Sequence, residues 1–369
     1  MKYKVCITFL LVVALVFNCF LFKENNKKQA LLNILNENKI NETNNTEEEI
    51  ESDNTDNNED VKEYYHNAAY KLDLKSAYGD NQAIHPKVLN FKEKWNGYKY
   101  WMVFSPYPNV DDAKENPHIK VSNDLINWIE PEGLKNPIVG KPSNHQAGLI
   151  YNSDPHLVYN YDTDTLECYY RYVNDIKDKV ILYRLTTKDG IHWSDKEEIL
   201  VYKRSVKDFL SPAIIYEDGM YKMWAVDKKQ VLKYRERKDG YHYGNERVIN
   251  LTYPISVLKA WHLDVIKTQK GYEMIVVAFP SRKDSSTMSL YYFSSKDNIN
   301  YTKGLCILKP SNVSWDNKGI YRSSLIYEDG VYYLYYTGIS KDGVRGTGLS
   351  YGKDINNLKG YNYKIRKEL

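Results

Sequence analysis

The chain has 369 residues, of which 42% are hydrophobic and 27% are charged, and its formal net charge is +3. A chain of this length can bury a sizeable core. A charge so close to balance, with no dense basic stretch after the N-terminus, argues against a nucleic-acid-binding protein. Tyrosine is unusually abundant, with 35 residues, and large amphipathic rings are typical of pleated, half-buried surfaces.

The first 22 residues predict a membrane segment. Lys2 and Lys4 precede an apolar run that continues to Phe22 and is interrupted only by Thr8 and Asn18. A positive charge before an apolar stretch is typical of an export signal, and the run has about the length that crosses a bilayer. Because no small-residue cleavage site follows, we expect an uncleaved signal anchor first and a cleaved signal peptide second. The rest of the chain would lie at the extracellular face of the cell membrane or be secreted.

Residues 23–63 are rich in Asn, Glu, Asp and Lys and offer little apolar surface to bury, which predicts a disordered tether. We expect residues 64–369 to form one domain, most simply a monomer. Cys168 and Cys306 belong to this domain but lie in separate sequence repeats, so a disulfide between them is not expected. The domain must therefore depend on its hydrophobic core for stability.

One pattern occurs five times between residue 84 and the C-terminus. Each copy opens on a polar residue and a short apolar strand, passes through a tight turn such as Asn96-Gly97, and enters an aromatic strand. The copies follow one another at intervals of roughly 50 to 70 residues, as blades of a repeat protein do. The sequence therefore predicts an all-β fold, a five-bladed β-propeller with about four strands in each blade. The five blades open near His85, Asp154, Ser211, His262 and Arg322.

The first strand of each blade is expected to line the central channel. Side chains alternate along a strand, so the opening residue and the residue two positions later would both face the axis. Convergent ionisable groups in one concavity are the usual mark of an active site. This rule selects His85, Lys87, Asp154, His156, Ser211, His262, Asp264, Arg322 and Ser324.

The repeats, the Asp-Pro opening of the second copy and the Thr187-Lys188-Asp189-Gly190 turn before Trp193 resemble the five-bladed β-propeller glycosidases. These are glycoside hydrolase family 43 and its relatives in families 32, 62 and 117, and the resemblance covers essentially everything after residue 84. It implies three acids on the opening strands of the first three blades. Only the middle acid has a counterpart here, Asp154. The resemblance also leaves room for a structural calcium ion in the channel, and we expect no other cofactor.

His85 and Ser211 stand where the resemblance implies acids, so other residues must supply the catalytic chemistry. We expect Asp264 to face Asp154 across the channel, as an inverting pair would at about 6.5–9.5 Å. His85 can serve as general base, since the ordinary pKa of histidine is about 6.5. Either Asp208, three residues before Ser211, or Glu115, in the loop after the second strand of the first blade, can lean over the mouth as an acid.

The other residues around the channel are assigned to substrate binding: Arg322, His156, His262, Trp261, Lys87, Arg171 and Glu115. Structural interpretations stand beside these assignments. The Ser211-Pro212 opening can be ordinary turn chemistry, and His262 with Asp264 can be a satisfied core pair. Trp261 can equally pack between blades or form a platform for a sugar ring.

Three functions follow from these residues. The first is a glycoside hydrolase that acts on a cell-surface or extracellular polysaccharide by general acid/base catalysis. The second is a carbohydrate-binding propeller without catalysis, favoured by the missing acids. The third is a metal-dependent site, because histidines and carboxylates are competent ligands; it would use His85, His156, His262, Asp154 and Asp264. In the first two the partner is a carbohydrate polymer or oligosaccharide, and the sugar and linkage stay open.

Overall fold

The computed structural model describes residues 66–362, except for 207, 239–242, 244–245, 281–287 and 313. The expected membrane segment (1–22) and tether (23–63) lie outside these residues. Where the structure describes the chain, it has no helix that combines the length and the apolar character needed to cross a membrane. It consists almost entirely of strands, with one short 3-10 turn at Pro108–Val110.

The strands form five antiparallel sheets, each a meander in which consecutive strands are neighbours. Blade 1 contains β1 (Ala83–Trp95), β2 (Tyr98–Pro106) and β3 (His118–Ser122). Blade 2 contains β4 (Ile150–Asn160), β5 (Thr165–Asn174), β6 (Lys179–Thr187) and β7 (Glu197–Lys203). Blade 3 contains β8 (Leu210–Glu217), β9 (Met220–Val226), β10 (Leu232–Arg237) and β11 (Arg247–Val248).

Blades 4 and 5 repeat the four-strand arrangement. Blade 4 contains β12 (Lys259–Thr268), β13 (Gly271–Phe279), β14 (Ser289–Ser295) and β15 (Leu305–Leu308). Blade 5 contains β16 (Gly319–Glu328), β17 (Val331–Ile339), β18 (Arg345–Gly352) and β19 (Lys359–Gly360).

The turn sequences explain the meanders. Asn96 and Gly97 have φ angles of 46° and 88°, and Asp218 and Gly219 have 52° and 71°. Two consecutive positive φ angles define the tight hairpin turn whose twist matches that of the flanking strands, and Asn-Gly and Asp-Gly adopt it most readily. Each such turn fixes the register between the first and second strands of its blade.

The first strands of the blades close a ring. β1 packs against β4, β4 against β8, β8 against β12, β12 against β16, and β16 against β1. At the closure, the Val88 backbone N–H donates to the Ser324 hydroxyl at 2.9 Å. The hydrophobic clusters lie mainly between neighbouring blades. The five-bladed all-β propeller expected from the repeats is thus confirmed.

Four of the five interfaces between blades share a polar contact within their apolar packing, which we call the tyrosine–glutamate seam. A tyrosine on the second strand of one blade donates its hydroxyl proton to a glutamate of the preceding blade, at 2.5 to 2.7 Å. The pairs are Tyr221–Glu167, Tyr272–Glu217, Tyr332–Glu273 and Tyr100–Glu328. The abundance of tyrosine therefore serves the joints of the ring. Cys168 and Cys306 are free.

Candidate active site

A β-bulge opens every blade at the mouth of the channel. The ladder between the first and second strands is irregular at five equivalent places, between Ile84/Lys87, Ser153/His156, Leu210/Ala213, Ala260/His262 and Ile320/Ser323. A bulge re-aims a side chain and is common beside active sites. The bulges contain the opening residues His85, Asp154, Ser211 and Arg322, and in blade 4 the bulge contains Trp261, next to the opening residue His262.

Three of these opening residues have a strained backbone. His85, Asp154 and Ser211 have φ angles of 56°, 53° and 50°, and a proline follows each of them. A non-glycine residue in the left-handed region costs on the order of 1–3 kcal/mol and is held there by its surroundings, often at a functional site. Simple alternation selected these residues from the sequence, whereas in the structure the bulge turns them toward the axis.

Asp154 lies at the centre of the mouth and is 2% exposed. Its Oδ1 lies 3.6 Å from His85 Nε2 and 3.7 Å from His262 Nδ1. Burial acts to raise the pKa of Asp154, but the surrounding imidazoles and guanidinium groups outweigh it and leave the pKa well below its ordinary value. Asp154 is therefore a carboxylate at neutral pH.

Two arginines flank this carboxylate. Arg171 Nη1 lies 3.3 Å from Asp154 Oδ2, and Arg322 Nη1 lies 3.5 Å from Oδ1. Arg171 also donates to Asp208 at 3.1 Å, which fixes its orientation. Both imidazoles at the mouth are neutral at pH 7, so among the groups that lower the pKa of Asp154 these two guanidinium groups are the ones that carry a full positive charge at that pH.

His85 and His262 are neutral because they are buried. Desolvation lowers the pKa of His85 to about 3, although Asp154 acts in the opposite direction. Desolvation likewise places the pKa of His262 well below its ordinary value. The His262 Nδ1 shares a hydrogen bond of 2.6 Å with the Ser211 hydroxyl. Neutral imidazoles keep a lone pair, which is what a metal ion or a proton acceptor requires.

Several buried polar atoms at the mouth have no hydrogen-bond partner among the described residues. They are both ring nitrogens of His85, Oδ1 of Asp154, Nε2 of His262, and Nε and Nη1 of Arg322. Buried polar groups are nearly always satisfied, so such a cluster requires an explanation. One ligand atom from each of His85, Asp154 and His262 lies within 4.8 Å of the others. Two neutral imidazoles and one carboxylate fit a divalent transition-metal ion.

Glu115 is the second acid at the mouth. Its Oε1 lies 3.4 Å from His85 Nδ1, on the other side of the imidazole ring from Asp154. Burial, reinforced by the negative charge of Asp154, raises the pKa of Glu115 well above its ordinary value. A raised pKa makes this carboxylate a better proton acceptor and favours its protonated form, the two states between which a general acid or base cycles.

The mouth opens into a cavity of about 400 Å³. Trp261 and Tyr321 form one wall, where the indole Nε1 donates to the tyrosine hydroxyl at 3.4 Å. The Tyr321 ring packs edge-on against His262, with centroids 4.2 Å apart. Tyr107 and Arg345 also line the cavity. Its volume suits one sugar unit with its substituents.

Three residues of this cavity were not predicted from the sequence: Tyr321, Tyr107 and Arg345. A signal for Tyr321 was present, because the Trp261-His262 pair of blade 4 and the Tyr321-Arg322 pair of blade 5 occupy equivalent bulges. Simple alternation turns the first residue of each pair away from the channel, whereas a bulge lets both residues of the pair face it. Tyr107 and Arg345 come from segments that no repeat rule relates to the channel.

The structure places Lys87 and Asp264 together and away from the cavity lining. Lys87 Nζ donates to both carboxylate oxygens of Asp264, at 2.7 and 3.0 Å, and the Leu325 N–H donates to Oδ2 at 2.9 Å. Asp264 therefore does not share the mouth with Asp154 as an acid of a catalytic pair. Its oxygens are fully engaged, and Lys87 is not available to bind substrate.

His156 also lies below the mouth. Its Nε2 is 2.9 Å from both the carbonyl oxygen and the amide nitrogen of Ile214, and its Nδ1 is 3.3 Å from Arg322 Nη2. Of the five residues expected for a metal site, the structure therefore gathers His85, Asp154 and His262. His156 supports Arg322 from beneath.

Comparisons with known proteins agree with this fold. No family model matches the chain. An A type blood N-acetyl-α-D-galactosamine deacetylase of Flavonifractor plautii is 30% identical over 324 residues, covering 72% of this chain and 41% of that protein. The chain thus spans about two fifths of the length of this curated relative.

Solved structures show the same architecture. The crystal structure of an N-acetylgalactosamine deacetylase from F. plautii, in complex with blood group B trisaccharide, has a TM-score of 0.66 at 26% identity, covering 78% of this chain and 93% of that one. An exo-1,5-α-L-arabinanase from a bovine ruminal metagenomic library has a TM-score of 0.56 at 16% identity, covering 79% and 100%. An α-L-arabinanase of Cellvibrio cellulosa has 0.54 at 15%, covering 78% and 98%.

Proposed function

We propose that this chain, which shares its five-bladed fold with carbohydrate-active propellers, is an enzyme that acts on carbohydrate and hydrolyses the N-acetyl group of an amino sugar. One observation carries the proposal: His85, Asp154 and His262 converge beside a second buried acid, Glu115, and each of the three has at least one polar atom without a hydrogen-bond partner among the described residues. The deacetylase named among the relatives supports the same reaction class.

His85, Asp154 and His262 would hold a divalent metal ion. When bound, such an ion polarises a carbonyl group and lowers the pKa of a water molecule to near neutrality. Arg171 and Arg322 keep Asp154 ionised and thus able to act as a ligand. The two imidazoles are ready for the ion without first losing a proton, because burial keeps them neutral.

Glu115 is the proton carrier of the proposed reaction. In its ionised form it takes a proton from the attacking water, whose oxygen forms a bond to the acetyl carbon. The carbon–nitrogen bond then breaks, and Glu115 returns the proton to the departing amine. The products are acetate and an amino sugar, so the atoms and charges balance. Its place beside His85 puts this carboxyl group next to the three candidate ligands.

Tyr321 stabilises the charge that develops on the acetyl oxygen. Burial raises the pKa of its hydroxyl far above the ordinary value, so the phenol keeps its proton and donates. A donor aimed at the developing oxyanion in a dry cavity contributes a large share of catalysis. Trp261 fixes the position of this hydroxyl through its indole N–H.

The test of this reaction is product analysis. The purified full chain, loaded with Zn²⁺ or Mn²⁺, is incubated with p-nitrophenyl glycosides of N-acetylgalactosamine and N-acetylglucosamine and with N-acetylated oligosaccharides. We expect free acetate and free amine in equal amounts, with no nitrophenol and no new reducing ends. The Glu115→Gln variant should bind metal but release acetate at least about a hundredfold more slowly, as loss of a general base does. Absence of acetate from all these substrates would reject the proposal.

A second candidate function is hydrolysis of a glycosidic bond. The observation that favours it is that two buried acids, Glu115 and Asp154, line the same cavity and lie on either side of the His85 imidazole. Inverting glycosidases use two acids about 6.5–9.5 Å apart. The same product analysis separates the two functions, because nitrophenol or reducing ends without acetate would support this one.

We also propose that the propeller works outside the cytoplasm, tethered by residues 1–63. The support is the charged and apolar pattern of residues 1–22 described above. Protease treatment of intact cells that express the full chain tests it, with loss of the propeller as the expected result. Protection of the propeller until the cells are lysed would reject the proposal.

A further inference from the structure

A second cavity, of about 310 Å³, lies on blade 2 beside the mouth. One face of β5 and β6 forms its floor, where Tyr172 and Tyr183 present their rings. Loop residues 139–144 form its far wall. We call this cavity the blade 2 groove. The proposed reaction makes no use of it.

The groove is basic. Lys141, Lys177, Lys179 and Lys196 line it, and no aspartate or glutamate does so. Four positive charges in one small cavity exceed the net charge of +3 carried by the whole chain. Among the described residues, the ion pair recorded for these lysines joins Lys179 to Glu198 at 3.9 Å, and both of its side chains are substantially exposed. Like charges so crowded favour an anionic occupant.

Aromatic and amide groups accompany the lysines. Lys196 Nζ lies 4.8 Å from the centre of the Tyr183 ring. The Tyr172 hydroxyl accepts hydrogen bonds from the side-chain amides of Asn144 and Asn174, at 3.5 and 3.1 Å, which leaves its own proton free for an acceptor. Flat rings beside hydrogen-bond donors suit a sugar ring, and lysines suit the anionic group that it carries.

The groove and the mouth share two structural elements. Asn152 lines the groove and Asp154 lines the mouth, two residues apart on β4, or roughly 7 Å along the strand. The loop that forms the wall of the groove also reaches the mouth at Gly148. Asp112 anchors this loop there, since it accepts from the Gly148 N–H at 2.6 Å and contacts His145 Nε2 at 2.9 Å. One oligosaccharide chain can therefore occupy both cavities at once.

We propose that the blade 2 groove is a subsite for an acidic substituent of the same glycan whose acetamido sugar enters the mouth. The substrate class is then an anionic polysaccharide that carries a carboxylate, sulfate or phosphate group close to an N-acetylated unit. This inference rests on the proposed function for the mouth, but the groove can be tested without turnover. Lysines recognise all three anions as point charges, so the experiment must distinguish them.

The test compares two charge-matched double variants of the full chain. Lys177→Gln with Lys196→Gln alters the groove, and Lys296→Gln with Lys303→Gln removes two exposed lysines of blade 4 as the control. All four side chains are exposed, so both variants should fold. Binding of polygalacturonate, dextran sulfate, poly(glycerol phosphate) and neutral dextran is measured by calorimetry at low and at physiological salt.

We expect the wild type to bind one acidic polymer at least tenfold more tightly than neutral dextran. The groove variant should lose at least tenfold of that affinity, and the control should stay within twofold. The polymer that binds best identifies the anion. Equal losses in the two variants, or no loss in the groove variant, would overturn the proposal.

Turnover separates this proposal from the one for the mouth. On a nitrophenyl N-acetylaminosugar the groove variant should keep the wild-type rate. On an acidic N-acetylated polymer its KM should rise at least tenfold while kcat stays unchanged. If no substrate releases acetate but the binding pattern holds, the groove stands and the reaction at the mouth fails. If acetate is released and the KM is unchanged, the groove proposal fails alone.

Discussion

Two buried aspartates in the channel, Asp154 at the mouth and Asp264 below it, have opposite surroundings. Asp264 binds one lysine through both oxygens and accepts a backbone N–H. Asp154 contacts two arginines and two imidazoles, yet its Oδ1 has no hydrogen-bond partner among the described residues. Asp154 is 2% exposed and Asp264 is 1% exposed, so burial does not distinguish them.

The difference teaches which buried charge is structural. A carboxylate whose lone pairs are all engaged contributes to one packing arrangement and has nothing left to offer a ligand. A buried carboxylate that lacks a hydrogen-bond partner, and lies among other polar groups that lack one, requires a bound ligand or ion to satisfy it. The rule of alternation did not separate the two, because it assigns both the opening residue Asp154 and Asp264, two residues after the opening residue His262, to the same channel.

Asp154→Asn should cause the largest change, a loss of acetate release on the order of a thousandfold, or about 4 kcal/mol of transition-state stabilisation. The amide lacks the charge that a ligand needs, whereas Arg171 keeps its second partner, Asp208. Acetate release and urea unfolding are measured together. A variant that keeps more than a tenth of the activity would remove Asp154 from the mechanism.

Asp264→Asn should act on stability instead, with a loss of about 3–5 kcal/mol, because it leaves the Lys87 ammonium buried without a counter-charge. Replacing both members, Lys87→Met with Asp264→Leu, should recover most of the lost free energy of unfolding. Chemical denaturation gives these values, and activity per folded molecule should stay within a fewfold of wild type. A large loss of activity in a stable double variant would return Asp264 to the catalytic group.

Metal should stabilise the mouth and leave the layer beneath it unaffected. At a hundredfold excess over Kd, a bound divalent ion is expected to raise the free energy of unfolding by about 2.7 kcal/mol. Chelation should reverse this gain and abolish acetate release. His262→Gln should eliminate the stabilisation, while His156→Gln, which changes the imidazole below the mouth, should retain it. Equal stabilisation of both variants by metal would contradict the assignment of ligands.

The smallest expected effect concerns a third kind of carboxylate, Glu217 in a tyrosine–glutamate seam. Burial acts to raise its pKa, but hydrogen bonds from Lys222 and Tyr272 outweigh it and lower the pKa to about 2. Because the folded-state pKa is depressed, the stabilisation is complete above about 4.5 and is lost as the pH falls toward 2. Solvent screening of this partly exposed group limits the loss to about 1 kcal/mol.

Glu217→Gln should therefore be less stable than wild type at pH 7 and nearly equal to it at pH 2.5. Urea titrations at these two pH values measure the difference, and Glu198→Gln, an exposed glutamate of blade 2, is the control. A pH-independent difference between Glu217→Gln and wild type would mean that packing, not charge, explains the seam.

The repeat predicted the fold and the identity of most residues at the mouth. His85, Asp154 and His262 were all found by comparing the openings of the blades, because each strand must start at the same end of the channel. The rule of alternation did not predict how far below the mouth of the channel each side chain lies. His156 and Asp264 follow the same rule but lie one layer down, and only the contacts of Lys87 and Ile214 show it.

The loops explain the remaining misses. Glu115 was recognised as an acid that can lean over the mouth, but its position against His85 depends on the path of the 107–117 segment. Tyr107 and Arg345 lie far apart in sequence, and nothing in the periodic pattern relates them. The lysines of the blade 2 groove are similarly dispersed along the chain. The net charge of the whole chain therefore gave no sign that positive charge is concentrated in this groove.

The bulges that open the blades have a consequence for protein engineering. Four opening residues, His85, Asp154, Ser211 and Arg322, lie outside the paired register of their strands, so their side chains can change without disturbing the ladder of the blade, whereas His262 pairs with Val277. A combinatorial library limited to these four positions would sample different chemistries on one intact scaffold. Natural divergence among such propellers could follow the same route, one bulge at a time.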